Sequence, residues 1–381
     1  MILTRGARIT GAVLCAVLAA LVTGWIVRDL RAAGDPSALL RYWAGYTDGW
    51  PEELPATLQA DPVLLVVHVL ALFAALRSPV AASTLVVTGL VTLALRLPGI
   101  WTIGSTVMDG RFSDELRTRA LIGTFVALAA ALALVVAGAA GRRQSEDPYE
   151  PRPARPGRGA GITAFLVLGT SGAVMIAWEI RQIFRLPDGL YPDWFIGGEA
   201  LTLGLTAAPP GWSSVVLGVL CLVVAWTALF RAVHARPLGM IAAGFLLVSG
   251  SCQIARNLDN GWLEHFGEAP AEQQLSMLTS FLFALAGAAA LLVLAPRGPG
   301  DTAGQGGGPG GYGYPQPGAQ SYGYPQSGVL GHGYPQSGAP GHGHPQGPTP
   351  GYGPPQPGYG PPQSRGGAGS PPPPSSPPPG W

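Results

Sequence analysis

Eight separate runs of apolar residues occupy most of the first 295 positions: Ile9–Val27, Pro62–Leu76, Pro79–Leu95, Ala120–Ala140, Gly161–Trp178, Trp212–Phe230, Pro237–Ala255 and Met277–Ala295. None has an ionised residue near its centre. A helix needs roughly 17–25 apolar residues to cross about 30 Å of hydrocarbon. The runs are too long for strands and do not alternate with period two. In lipid the backbone must satisfy its own hydrogen bonds, which leaves helix as the expected form. The fold class read from this is all-α: a polytopic bundle of about eight transmembrane helices.

Composition agrees. Only 11% of the 381 residues are charged, against roughly 25% in an ordinary soluble domain. Mean hydropathy is +0.29 although the C-terminal quarter is polar. A single soluble domain is excluded. A formal net charge of +1 gives no basic field for a phosphate backbone, so no nucleic-acid partner is expected. The partner that is expected is the lipid bilayer.

The second run, Pro62–Leu76, is short and would span only by extending outward past Asp61. The first follows Arg5 and Arg8 as a signal peptide would. It is longer than a typical signal core and lacks a small-x-small cleavage site, so it reads as a retained span. Every basic residue is Arg, and five of these lie between positions 141 and 160. The positive-inside rule therefore puts that loop, and with it both termini, in the cytoplasm of a plasma-membrane protein. Trp25, Trp43, Trp50, Trp101, Trp178, Trp194, Trp212 and Trp262 then gather at the outer boundary, where indole rings favour the headgroup level.

The runs also divide four plus four. Trp25-Ile-Val-Arg28 reappears as Trp178-Glu-Ile-Arg181, and Arg96 with Trp101 matches Arg256 with Trp262. Four spans per half means both halves insert the same way, as parallel repeats related about the membrane normal. The expected organisation is a first half over 1–140, a cytoplasmic linker over 141–160, a second half over 161–296 and a tail over 297–381. Small residues such as Gly239, Gly244, Ala284, Gly287 and Ala288 are candidates for close helix contacts.

The tail carries a degenerate ten-residue repeat, seen in Gly311-Tyr-Gly-Tyr-Pro-Gln and Ser321-Tyr-Gly-Tyr-Pro-Gln. Residues 296–381 hold 23 of the 39 prolines. Such a segment cannot bury enough apolar surface to offset its ordering entropy, so it is expected to be disordered. Its spaced tyrosines are candidate contacts for cytoplasmic proteins, against the plainer reading of an inert spacer.

Chemistry is sparse. Cys15, Cys221 and Cys252 lie in apolar runs without CxxC partners and read as small hydrophobes. No metal or cofactor is expected. His68 is an ionisable residue inside a span, which marks a functional candidate by default; a neutral imidazole bonded to a neighbouring helix is the plainer reading. Glu264, Glu268 and Glu272 are expected on a solvated loop, because Gly267 and Pro270 interrupt any helix. No catalytic motif is present, so no enzymatic activity is expected. The most informative polar residues are Arg28, Arg96, Arg181 and Arg256, at the outer ends of spans one, three, five and seven, with Gln253 one turn inward. Snorkelling is their plain role. The sharper one is a ring of guanidinium groups that binds anionic lipid or pairs with Asp29, Glu179 and Asp259.

The Lys-free chain with Gly-Tyr-Gly-Pro-Pro-Gln at Gly351 and Gly358 resembles multi-pass membrane proteins of high-GC actinobacteria. The resemblance is compositional, rests on residues 296–381, and implies neither an activity nor site residues. The functional expectation is a non-enzymatic membrane anchor whose cytoplasmic tail recruits partners. The alternative is a transporter or lipid-binding protein with its site between the two four-helix halves.

Overall fold

The computed structural model describes residues 2–46, 54–143, 155–187, 189–198 and 204–295. The tail over 297–381, and the disorder expected of it, lie outside the described residues, as does most of the linker. Eight helices among the described residues are long and apolar enough to span a bilayer. They are α1 (Arg5–Ala33), α3 (Ala60–Arg77), α4 (Ala81–Arg96, continued by the short α5, Gly99–Thr102), α6 (Asp114–Ala140), α7 (Arg158–Arg185), α9 (Pro210–Leu229), α10 (Ala235–Asp259) and α11 (Ala271–Leu294). Two short helices, α2 (Pro36–Ala44) and α8 (Leu190–Ile196), follow the first helix of each half. The second span exceeds its apolar run: α3 has 18 residues and takes Asp61 into its first turn.

Local sequence sets the helix starts. Thr4 caps α1 by accepting from Ala7 N, and Ser113 caps α6 by accepting from Leu116 N. Asp35 caps α2 ahead of Pro36 at the first helical position. Its carboxyl is held below the ordinary value by hydrogen bonds from the Ser37 hydroxyl and amide. At the opposite face β1 (Ile2–Leu3) pairs antiparallel with β2 (Arg142–Arg143), tying the start of α1 to the end of α6.

Helix packing follows one pattern twice. In the first half α1 lies on α3, α4 on α6, α1 on α6 and α3 on α4; in the second, α7 lies on α9, α10 on α11, α7 on α11 and α9 on α10. The halves meet where α10 touches α3 and α4 and where α9 touches α4. Lipid is as apolar as leucine, so helix association rests on close packing rather than hydrophobic drive. Glycines provide the closest approaches. A Cβ at Gly250 would lie 2.4 Å from Ala284 N, one at Gly287 2.5 Å from Leu247 N, and one at Gly172 2.8 Å from Gly218 O. A Cβ at Gly239 would lie 2.4 Å from the Leu294 side chain, whereas one at Gly244 would meet only Val63 at 3.8 Å, so Gly244 marks no tight contact.

Candidate functional site

The polar side chains concentrate at the face that carries α2 and α8. Asp29, near the end of α1, is buried and accepts four hydrogen bonds. They come from Ala56 N at 3.0 Å, Thr57 N at 2.8 Å, Thr57 Oγ1 at 2.6 Å and Arg28 Nη1 at 2.9 Å. The Thr57 hydroxyl in turn accepts from Trp43 Nε1 at 3.2 Å. One carboxylate thus fixes the segment leading into α3 and, through Thr57, the position of α2. Burial, with the Asp29 charge nearby, pushes the Tyr42 phenol above its ordinary value and keeps it neutral.

The second half has a related arrangement. Glu179 of α7 is buried and accepts from Trp194 Nε1 of α8 at 3.2 Å. In both halves an acid of the first helix holds the tryptophan of the short helix that follows, directly in one and through Thr57 in the other.

Arg96 joins the halves. Its Nη2 donates to Asp61 Oδ1, and its Nη1 donates to the Thr206 carbonyl at 2.7 Å. Asp61 also accepts from Leu58 N at 2.8 Å. Thr206 donates from both its amide and its hydroxyl to the Ala56 carbonyl, at 2.9 and 3.0 Å. The segment before α3 therefore meets the corresponding segment before α9. Trp212 Nε1 donates to the Ala94 carbonyl at 2.7 Å, and Trp101 Nε1 to the Ile196 carbonyl at 2.8 Å. A buried ion pair of this kind is costly to desolvate, and the hydrogen bonds around it offset that cost.

His68 is buried, and its Nε2 lies 2.9 Å from Thr92 Oγ1 on α4, as the plainer reading of an imidazole tied to its neighbour requires. Among the described residues its Nδ1 and the Thr88 hydroxyl have no hydrogen-bond partner. His68, Thr92, Arg96, Thr124, Thr206 and Trp25 border a small cavity of about 20 Å³, room for a single water. The polar column of His68, Thr92 and Arg96 lies on α3 and α4 of the first half, with Thr206 of the second half bonded to Arg96.

The arginines singled out in the sequence do not share one site. Arg28 pairs with Asp29 as anticipated and also donates to the Leu54 carbonyl at 3.2 Å. Arg181 pairs with Glu272 at 2.5 Å rather than with Glu179, and its guanidinium lies over the Trp178 ring. Glu272 is accordingly not on a loop: it begins α11, whose first turn starts just after Pro270. Arg256 packs its stem against Gly45, and among the described residues its buried Nε has no hydrogen-bond partner. Among the same residues Asp259 forms no ion pair with it, and Gln253, half-buried on α10, makes no hydrogen bond that extends its site.

Among the described residues no group of three His, Cys, Asp or Glu side chains could hold a metal. Cys15 and Cys221 are buried as small hydrophobes and Cys252 is half-buried. A comparison with known protein families, curated proteins and solved structures finds no match to this chain.

Proposed function

We propose that this protein is a plasma-membrane scaffold without catalysis of its own, oriented with both termini in the cytoplasm, whose tail recruits cytoplasmic partners. The observation that carries the reading is the fate of the polar groups. Asp29 and Asp61 are consumed in hydrogen bonds within the first half, and Arg96, paired with Asp61, carries that network across to the Thr206 carbonyl of the second. The helix seams are closed by glycine and alanine backbone contacts. Such a framework suits a fixed platform better than an alternating transporter, whose halves must rock against each other. The alternative of a transport or lipid site between the halves is disfavoured, because Thr206, Ala56 and Trp212 fill that seam.

The test is truncation after Arg297 in the native host. The shortened protein should reach the membrane at near-normal levels and lose the proteins that co-purify with the full chain. Replacing Tyr312, Tyr314, Tyr322, Tyr324 and Tyr334 with Ser should reproduce that loss, because aromatic contacts would carry the binding. Retention of every partner by the truncated protein would reduce the tail to a spacer and overturn the recruitment reading.

A further inference from the structure

Most in-span glycines of this bundle close helix contacts, but Gly24 and Gly123 face open space together. A Cβ at Gly24 on α1 would meet no atom within 4 Å, and one at Gly123 on α6 would meet only Trp25 Nε1 at 3.6 Å. The two glycines line the same groove between α1 and α6, of about 500 Å³ and open to the outside of the bundle. Along α1 the groove runs from Arg28 through Gly24 and Leu21 to Val17, about 17 Å at 1.5 Å per residue. Its walls are apolar along that length, and Arg28 and Arg119 stand together at one end.

That end has donors to offer. A guanidinium carries five N–H groups. Arg28 is already engaged with Asp29 and the Leu54 carbonyl and fixes the rim, so the donors come from Arg119. Among the described residues Arg119 pairs only with Glu115, one turn away, in an exposed bridge of the kind that contributes little and exchanges readily. Trp25, half-buried between the two arginines and the apolar floor, donates no hydrogen bond from its indole among the described residues. Two cations and an indole N–H at the mouth of an apolar slot match one ligand chemistry: a phosphate diester carrying a hydrocarbon chain. A partner helix, roughly 10–12 Å across, fits poorly, because α1 and α6 pack directly on each other.

We propose that the α1–α6 groove binds one acyl chain of an anionic phospholipid, with the phosphate held at Arg119, beside Arg28 and Trp25, and the chain laid along Gly24, Leu21 and Val17. The site is independent of the scaffold reading and lies within the first half rather than between the halves.

Native mass spectrometry of the full chain, reconstituted in phosphatidylglycerol or in phosphatidylcholine, tests it. The native protein should retain phosphatidylglycerol through detergent release at least about fivefold more than phosphatidylcholine. Gly24→Leu should abolish that adduct without lowering the melting temperature, since its side chain enters open space. Arg119→Gln should bring the two lipids to near parity. Ala20→Phe, from the same wall, is the second blocking variant should Gly24→Leu fail to fold. An adduct and a preference that survive a folded blocking variant would overturn the site. So would a native protein that retains neither lipid while the blocking variant changes its oligomeric state, because the groove would then be a seam between copies.

Discussion

Arg96 of α4 and Asp61 of α3 form an ion pair from which solvent is nearly excluded, with side chains 11% and 3% exposed. Removing one partner leaves the other charge buried, a loss of roughly 3–5 kcal/mol. Arg96→Ala should therefore lower the unfolding temperature in detergent sharply. The double variant Asp61→Asn, Arg96→Gln should lose less than the two single changes summed. Equal and additive losses would show that the pair is not coupled.

Thr57 connects Trp43 to Asp29 through one hydroxyl. Thr57→Val keeps the shape and removes the link. A hydrogen bond to a charged group contributes about 1.5–3 kcal/mol, so local rather than global loosening is expected. Hydrogen exchange should accelerate at the amides of Ala56 and Thr57, and α2 should follow, with the α7–α9 pair unaffected.

Gly250 and Gly244 lie two turns apart on α10 but should respond oppositely to Ala. At Gly250 the new methyl would sit 2.4 Å from the Ala284 backbone nitrogen, and overpacking of this kind costs about 1–3 kcal/mol. At Gly244 there is room, and relief of glycine's entropy in a helix stabilises by roughly 0.5–1 kcal/mol. Thermal unfolding of the two variants side by side would distinguish them.

Orientation is open to a labelling test on intact cells carrying Cys252→Ser. Cysteines at Ser37 and Glu264, both exposed on the α2 side, should react with an impermeant maleimide, and one at Gly159, exposed at the start of α7, should not. The reverse pattern would invert the topology. Thr206, at the same face by sequence, is a poor reporter because it is buried against Ala56.

How much of this was legible in the sequence depends on the kind of contact. The spans and the tryptophan-rich face follow from run length and composition, which the bilayer dictates directly. The Arg28–Asp29 pair was visible as neighbours. The Arg96–Asp61 pair was missed because Asp61 was placed just outside the short second run. The signal was there, since α3 and α4 form a hairpin about the turn at Ser78 and Pro79, and positions 61 and 96 lie about equally far from it. Antiparallel helices of equal rise bring such positions level. The same reckoning brings His68 level with Gly89, within one turn of Thr92, which its ring meets. Gly24 and Gly123 were not legible, because a glycine that closes a seam and one that leaves a void look alike in sequence. Arg181 chose Glu272 over Glu179 because α11 begins one residue after Pro270, a boundary that proline-based reasoning placed too late.

The two-residue ribbon of Ile2–Leu3 with Arg142–Arg143 puts a clock on biosynthesis. At about 5–20 residues per second, the first strand waits roughly 7–28 s on the ribosome before its partner exists. Through that interval the leading end of α1 has no ladder to close, and four spans must already be threaded when it does. The Thr4 amide then completes the clasp on the Gly141 carbonyl at 2.9 Å. The first half is thus a ring whose fastening is the last part made, so a bulky fusion ahead of Ile2 would leave the spans in place and the ring unfastened.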